Sequence, residues 1–133
     1  MRKRRDILAL FPKADVAVED IEHLLRILGV SPIYAGFTPA VTAMKFVLED
    51  PHLMTSLTTK LYPKVAGSCG TSIPSVERNI RTVISIIWEK NKFLFEIIAG
   101  YGMTARPSVG DFLAILTTYL MYHPADKWPD YLR

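Results

Sequence analysis

Val76, Ile80, Val83, Ile84 and Ile87 recur at spacings of three and four, which places them on one stripe of an α-helix. Glu77, Arg78, Arg81, Thr82 and Ser85 fall outside that stripe and form a polar side. Just upstream, Leu61, Tyr62 and Val65 suggest a short apolar helix that Gly67 and Gly70 weaken and end, because glycine is a poor helix former and a common terminator. Thr71 and Ser72 are candidate N-caps, and Pro74 falls in the first turn, where its missing N–H costs nothing. A short helix, a glycine-containing turn and a long helix with an exposed arginine face outline a helix-turn-helix, with its recognition helix over about 73–90.

The flanking sequence is helical as well. Val18, Ile21, Leu24, Leu25 and Leu28 share a face that Gly29 ends, and Ser31-Pro32 reads as a turn. Thr38 followed by Pro39 predicts an N-cap and first helical position, opening a helix through Val41, Met44, Val47 and Leu48. Asp50-Pro51 repeats the signal and starts a third stretch through Leu53, Met54 and Leu57, which joins or abuts the Leu61 helix. Beyond Trp88, residues Glu89 to Lys92 read as a polar helix end, and Phe93 to Ala99 as a further apolar turn or two closed by Gly100 and Gly102. Thr104 to Pro107 is a loop. Ser108 with Asp111 resembles a capping box that opens a last helix carrying Val109, Phe112, Leu113, Leu116 and Leu120. Nothing alternates with a period of two, so the expectation is an all-α, compact bundle of about six helices containing the helix-turn-helix. Three regions are expected: a basic arm or linker over 1–14, the domain over 15–123 and a tail over 124–133, whose Trp128, Tyr131 and Leu132 are candidates to dock on the core.

Composition narrows the function classes. No apolar run approaches the roughly 20 residues of a membrane span, so no membrane partner is expected. Met1 to Arg5 is basic, but the apolar run from Ile7 to Phe11 is shorter than a signal peptide requires, and no small-residue cleavage site follows. The single cysteine, Cys69, forms no internal disulfide, agrees with a reducing, cytoplasmic setting and reads as a buried or half-buried spacer. His23, His52 and His123 stand far apart with no partner at metal-ligand spacing. No phosphate-binding or dinucleotide-binding glycine motif is present, so no metal, cofactor or catalytic residue is expected and an enzyme is disfavoured. The net charge is +3; with the four basic residues of 2–5 set aside, the 16 Lys and Arg fall to 12 against 13 Asp and Glu. Any affinity of the folded part for a polyanion must therefore come from local placement of charge. The arm itself is read as a solvated tail in preference to a phosphate-gripping one.

An arginine face on such a helix suits double-stranded DNA. Arg78 and Arg81 each offer a fork of donors to guanine O6 and N7, Glu77 accepts from cytosine N4, and Thr82 suits a thymine methyl or a phosphate. Lys60, Lys64, Ser72 and Ser75 are candidate phosphate contacts that set register without reading sequence. The competing reading is a solvated helix face in which Glu77 and Arg81 form an i,i+4 pair worth about 0.3 kcal/mol. Pattern alone does not choose between the two.

Leu61-Tyr62-Pro63, then Ser75-Val76-Glu77-Arg78, Ile80-Arg81 and Trp88 at these spacings, resemble the C-terminal effector-domain family of stage 0 sporulation protein A, a response regulator of endospore-forming Firmicutes. The likeness extends from about Ile21 to Tyr122, taking in Leu28-Gly29-Val30, Gly100-Tyr101 and the Phe112 helix. It implies a six-helix domain that binds short promoter elements and acts through RNA polymerase sigma factors. It also implies that the bases are read at the positions of Glu77, Arg78 and Arg81, and that a homodimer can form in tandem on DNA. The sigma-contacting region of the family falls at roughly Glu89 to Ile98. Three features depart from the pattern. Residues 1–20 cannot supply the receiver domain that precedes this one in full-length members, so regulation in a complete chain would come from elsewhere. Gly67-Ser68-Cys69-Gly70 stands where more helix-favouring residues are expected. Thr82 replaces a bulkier or basic residue, which predicts a different DNA preference. The expectation is a sequence-specific DNA-binding transcription regulator; the alternative is a non-DNA-binding interaction module that keeps the effector fold and modulates a full-length regulator.

Overall fold

The computed structural model describes residues 15–133, so the basic arm expected over 1–14 lies outside it. Among the described residues the chain forms α1 (Val18–Ile27), α2 (Phe37–Glu49), a 3₁₀ helix (Pro51–Thr55) and a π-helical turn (Leu57–Leu61). These lead into α3 (Tyr62–Cys69), α4 (Ile73–Ala99), α5 (Val109–Tyr122) and two short 3₁₀ turns (Ala125–Lys127 and Asp130–Leu132). The all-α expectation holds.

α2 is the centre of the bundle. Phe37, Ala40, Val41, Ala43, Met44, Val47 and Leu48 are all buried, a broad apolar face of about half the circumference, while Thr38, Lys45 and Glu49 keep a narrow stripe exposed. It packs against α1, α3, α4 and α5 in turn. It also begins earlier than Thr38-Pro39 suggests: Gly36 is its N-cap and Phe37 its first residue, with the Phe37 N–H donating to the Tyr34 carbonyl at 3.0 Å. Pro39 still sits in the first turn, where no intrahelical N–H partner is needed. The reason for the earlier start is long-range. A Cβ on Gly36 would lie 2.3 Å from the Asn79 carbonyl oxygen, so the entry to α2 is pressed against the backbone of α4.

The helical stretch expected from Asp50-Pro51 is instead a 3₁₀ helix, capped by Asp50 Oδ1 accepting from the His52 N–H at 3.2 Å. It passes through Ser56, whose carbonyl accepts from the N–H groups of both Lys60 and Leu61, into the π turn and α3. The polar helix end expected at Glu89–Lys92 proves to be a kink inside one continuous span: Asn91 has φ −141° and ψ 38°. Its Nδ2 donates to the Leu28 carbonyl at 2.8 Å, tying the bend to the end of α1. The neighbouring Gly29 has φ +98°, and a Cβ there would lie 2.7 Å from that same Nδ2. Divided at Asn91, the five α-helical spans become the six bodies that the sequence suggests. Past the kink, Phe95 stacks on Phe112 with ring centroids 6.0 Å apart and fastens α4 to α5.

The tail packs on the domain. Trp128 and Leu132 are buried, Trp128 Nε1 donates to the His123 carbonyl at 2.7 Å, and the His23 ring lies parallel to the indole at 6.0 Å. Tyr131, expected beside them, stays exposed.

Candidate nucleic-acid interface

α3 and α4 are joined by the turn that the glycines predict, with one adjustment. α3 runs through Gly67 to Cys69, and only Gly70, at φ +65°, ends it in the left-handed region that a Cβ disfavours. Buried Tyr62, Val65 and Ala66 hold α3 in the bundle, so Gly67 in its interior does not dissolve it. Ser72 then caps α4, its Oγ accepting from the Ser75 N–H at 3.3 Å, and Pro74 sits in the first turn. From there Val76, Ile80, Val83, Ile84 and Ile87 are buried against the core, as their spacing requires.

The opposite side of α4 is the candidate surface. Pro74, Glu77, Arg78, Arg81, Thr82 and Ser85 line one open depression along the helix. Glu77 Oε1 accepts from Arg81 Nε at 3.0 Å and from Nη2 at 2.7 Å, so the guanidinium is gripped along one edge. Both partners remain substantially exposed, Arg81 by 67% and Glu77 by 39%. Arg78 Nη2 donates to Ser75 Oγ at 3.3 Å. Thr82 and Ser85 donate their hydroxyls to the carbonyls of Arg78 and Arg81, each at 3.1 Å, which leaves their oxygen lone pairs outward. Beneath this face, burial raises the Tyr62 phenol above its ordinary pKa; the Glu77 carboxylate adds to the rise and the Arg81 guanidinium opposes it. The phenol is therefore neutral and in electrostatic contact with the pair above it.

Of the expected site residues, Glu77, Arg78, Arg81 and Thr82 come together in this depression, and Ser75 adjoins it through Arg78. Ser72 spends its hydroxyl on the cap and on Ser75. Lys60 and Lys64 line no part of the depression; the Lys64 ammonium sits 4.5 Å from the centre of the Phe46 ring on α2. One residue on this side has no counterpart in the helical pattern: Arg106, from the loop between α4 and α5. Its Nη1 donates to Ser85 Oγ at 2.8 Å and its Nη2 to Glu89 Oε1 at 3.1 Å. The only local signal for it is a basic residue directly before the Pro107-Ser108 helix start.

Elsewhere, His23 and His123 stack on Trp128 and Tyr119, and His52 belongs to the capped 3₁₀ helix. Cys69 is half-buried, with Sγ 3.7 Å from Thr42 Oγ1. Among the described residues no group of three His, Cys, Asp or Glu side chains is placed to hold a metal ion, and no helix is long and apolar enough to cross a membrane. Compared with known protein families, residues 21–120 match the model described as "Sporulation initiation factor Spo0A C terminal", a span from the middle of α1 to near the end of α5.

Proposed function

This chain belongs to the Spo0A C-terminal family, and from that premise we propose that it is a sequence-specific, double-stranded DNA-binding transcription regulator whose recognition helix is the first part of α4, up to the kink at Asn91. The observation that carries this reading is the outward depression lined by Glu77, Arg78, Arg81, Thr82 and Ser85 on a helix whose reverse side is core. Glu77 orients Arg81 through the Nε edge, which leaves the outer Nη1–Nη2 edge free for guanine O6 and N7. The second carboxylate oxygen of Glu77 remains available to cytosine N4. Arg78, one step along the helix, reads the neighbouring base pair, and Thr82, its hydroxyl proton held by the Arg78 carbonyl, meets a thymine methyl. Ser75, with Lys60 and Lys64, supplies the phosphate contacts that fix register, and Ser72 does so only by giving up the hydrogen bond it donates to Ser75.

Beyond the kink, Phe93 is 76% exposed, with Ile97 and Tyr101 also on the surface. These apolar side chains support Glu89 to Ile98 as the face that meets an RNA polymerase sigma factor, with a homodimer on tandem promoter elements as the DNA-bound form. The role places the protein with the chromosome, in the cytoplasm, and requires no cofactor. The same exposed residues support a second reading, an interaction module that has left DNA binding behind.

The deciding experiment is titration of the protein with duplexes carrying a sporulation promoter element and with scrambled duplexes, over a salt series. A specific complex whose affinity falls linearly in log salt is the expected result. Absence of binding even at low salt refutes the DNA reading in favour of the module.

A further inference from the structure

We propose that Arg106 is a phosphate-binding residue of the DNA interface, delivered from outside the recognition helix by the loop between α4 and α5. The inference rests on the reading of α4 as the recognition helix and adds a second element to its contact surface. Arg106 donates to Ser85, which lines the same depression as Arg78 and Arg81. From Arg78 to Ser85 is seven residues, about 10 Å along a helix axis rising 1.5 Å per residue, while the major groove is about 12 Å wide. With Arg78 and Arg81 on base edges, Ser85 and Arg106 stand at the groove margin, where the sugar-phosphate strand runs.

The side chain is equipped for that place. A guanidinium has five N–H donors in a planar fork that matches phosphate, and Arg106 uses only two groups on Ser85 and Glu89. It is 47% exposed. The loop that carries it is fastened on both sides: Glu96 Oε2 accepts from the Met103 N–H at 2.6 Å, and Ser108 Oγ accepts from the Asp111 N–H at the start of α5. Arg106 also neutralises Glu89, whose carboxylate would otherwise confront the same phosphates.

The test is a salt series on Arg106→Ala, Arg106→Lys, Arg78→Ala and the unaltered protein, read by fluorescence anisotropy on promoter-element and scrambled duplexes, with thermal melts of each. Loss of one phosphate contact flattens the log–log slope by roughly 0.9 and weakens binding about eightfold at 0.1 M salt, equally on both duplexes. Arg106→Lys keeps the charge without the two-pronged grip, and it restores the slope. An unchanged slope in Arg106→Ala overturns the inference, as does a loss that lysine fails to restore and that tracks a lowered melting temperature, the mark of a simple loop clamp. If the unaltered protein binds specifically and Arg78→Ala relaxes that specificity while Arg106→Ala changes nothing, this inference alone fails. If the unaltered protein does not bind, both readings fail together.

Discussion

Arg81→Ala separates base reading from a solvated helix face, because the two give different orders of magnitude. In the free protein Arg81 holds Glu77 in a 2.7 Å pair that is largely open to water. Such an exposed i,i+4 pair contributes about 0.3–0.5 kcal/mol, so the melting temperature should fall by only about 1–3 °C. A bidentate contact to guanine contributes about 1–3 kcal/mol of discrimination, or roughly 5- to 150-fold in the ratio of target to scrambled affinity. The binding effect should therefore exceed the folding effect several times over. A cycle with Glu77→Gln sharpens the assignment. If Glu77 acts by holding Arg81, its replacement frees a side chain whose re-immobilisation costs about 0.5–1.5 kcal/mol, and that penalty shrinks when Arg81 is already alanine. Competition titrations at one salt concentration give the ratios, and circular dichroism melts give the stabilities. Equal weakening on target and scrambled duplexes would refute base reading by Arg81. A Glu77→Gln penalty of the same size in both backgrounds would refute the positioning role of the carboxylate.

Gly29→Ala should destabilise the domain by about 1–3 kcal/mol, since it forces a Cβ into the left-handed region and onto Asn91 Nδ2; an unchanged urea midpoint would refute the packing described there. Trp128→Ala removes a buried indole at the junction of the tail with α1 and α5 and should cost about 3–5 kcal/mol in chemical denaturation; a loss under 1 kcal/mol would show the tail to be dispensable. The raised pKa of Tyr62 means that the native state holds its proton more tightly than the unfolded chain does. Its contribution is therefore fully present below about pH 10 and is lost as the pH climbs through the folded value. Tyr119 is shifted in the same direction by its own burial, so Tyr62→Phe should reduce the alkaline decline in stability without abolishing it. A decline identical in the two proteins would contradict the environment assigned to Tyr62.

What the sequence reveals and what it hides divide along one line, the range of the interaction responsible. The stripe of Val76, Ile80, Val83, Ile84 and Ile87, the stop at Gly70 and the caps at Ser72 and Ser108 all depend on neighbours within a turn or two, and each is legible from spacing and residue type. The start of α2 depends on Gly36 meeting the Asn79 carbonyl, which no window around Thr38-Pro39 contains. The π turn at Leu57–Leu61 is equally silent, because the segment has an ordinary helical look and no residue type in it marks the wider bond from the Leu61 N–H to the Ser56 carbonyl. Arg106 is the same case at the site. Its meaning lies in Ser85 and Glu89, and the sequence shows it only as a loop residue.

The charges on the proposed binding surface argue for a division of labour. Arg78, Arg81 and Arg106 share that side with Glu77 and Glu89, and two of the three arginines are already paired with a carboxylate. A surface so nearly balanced attracts a phosphate backbone weakly over distance, and the sequence apart from residues 2–5, with 12 basic against 13 acidic residues, adds no general attraction. The pairing instead fixes where each fork points before DNA arrives, so less ordering is needed on contact and a wrong base leaves a donor or carboxylate unsatisfied. Such a surface favours discrimination over raw affinity. On the proposed DNA reading, such a surface calls for more than one contact acting at once, which the proposed second copy on an adjacent element would supply by multiplying effective concentration.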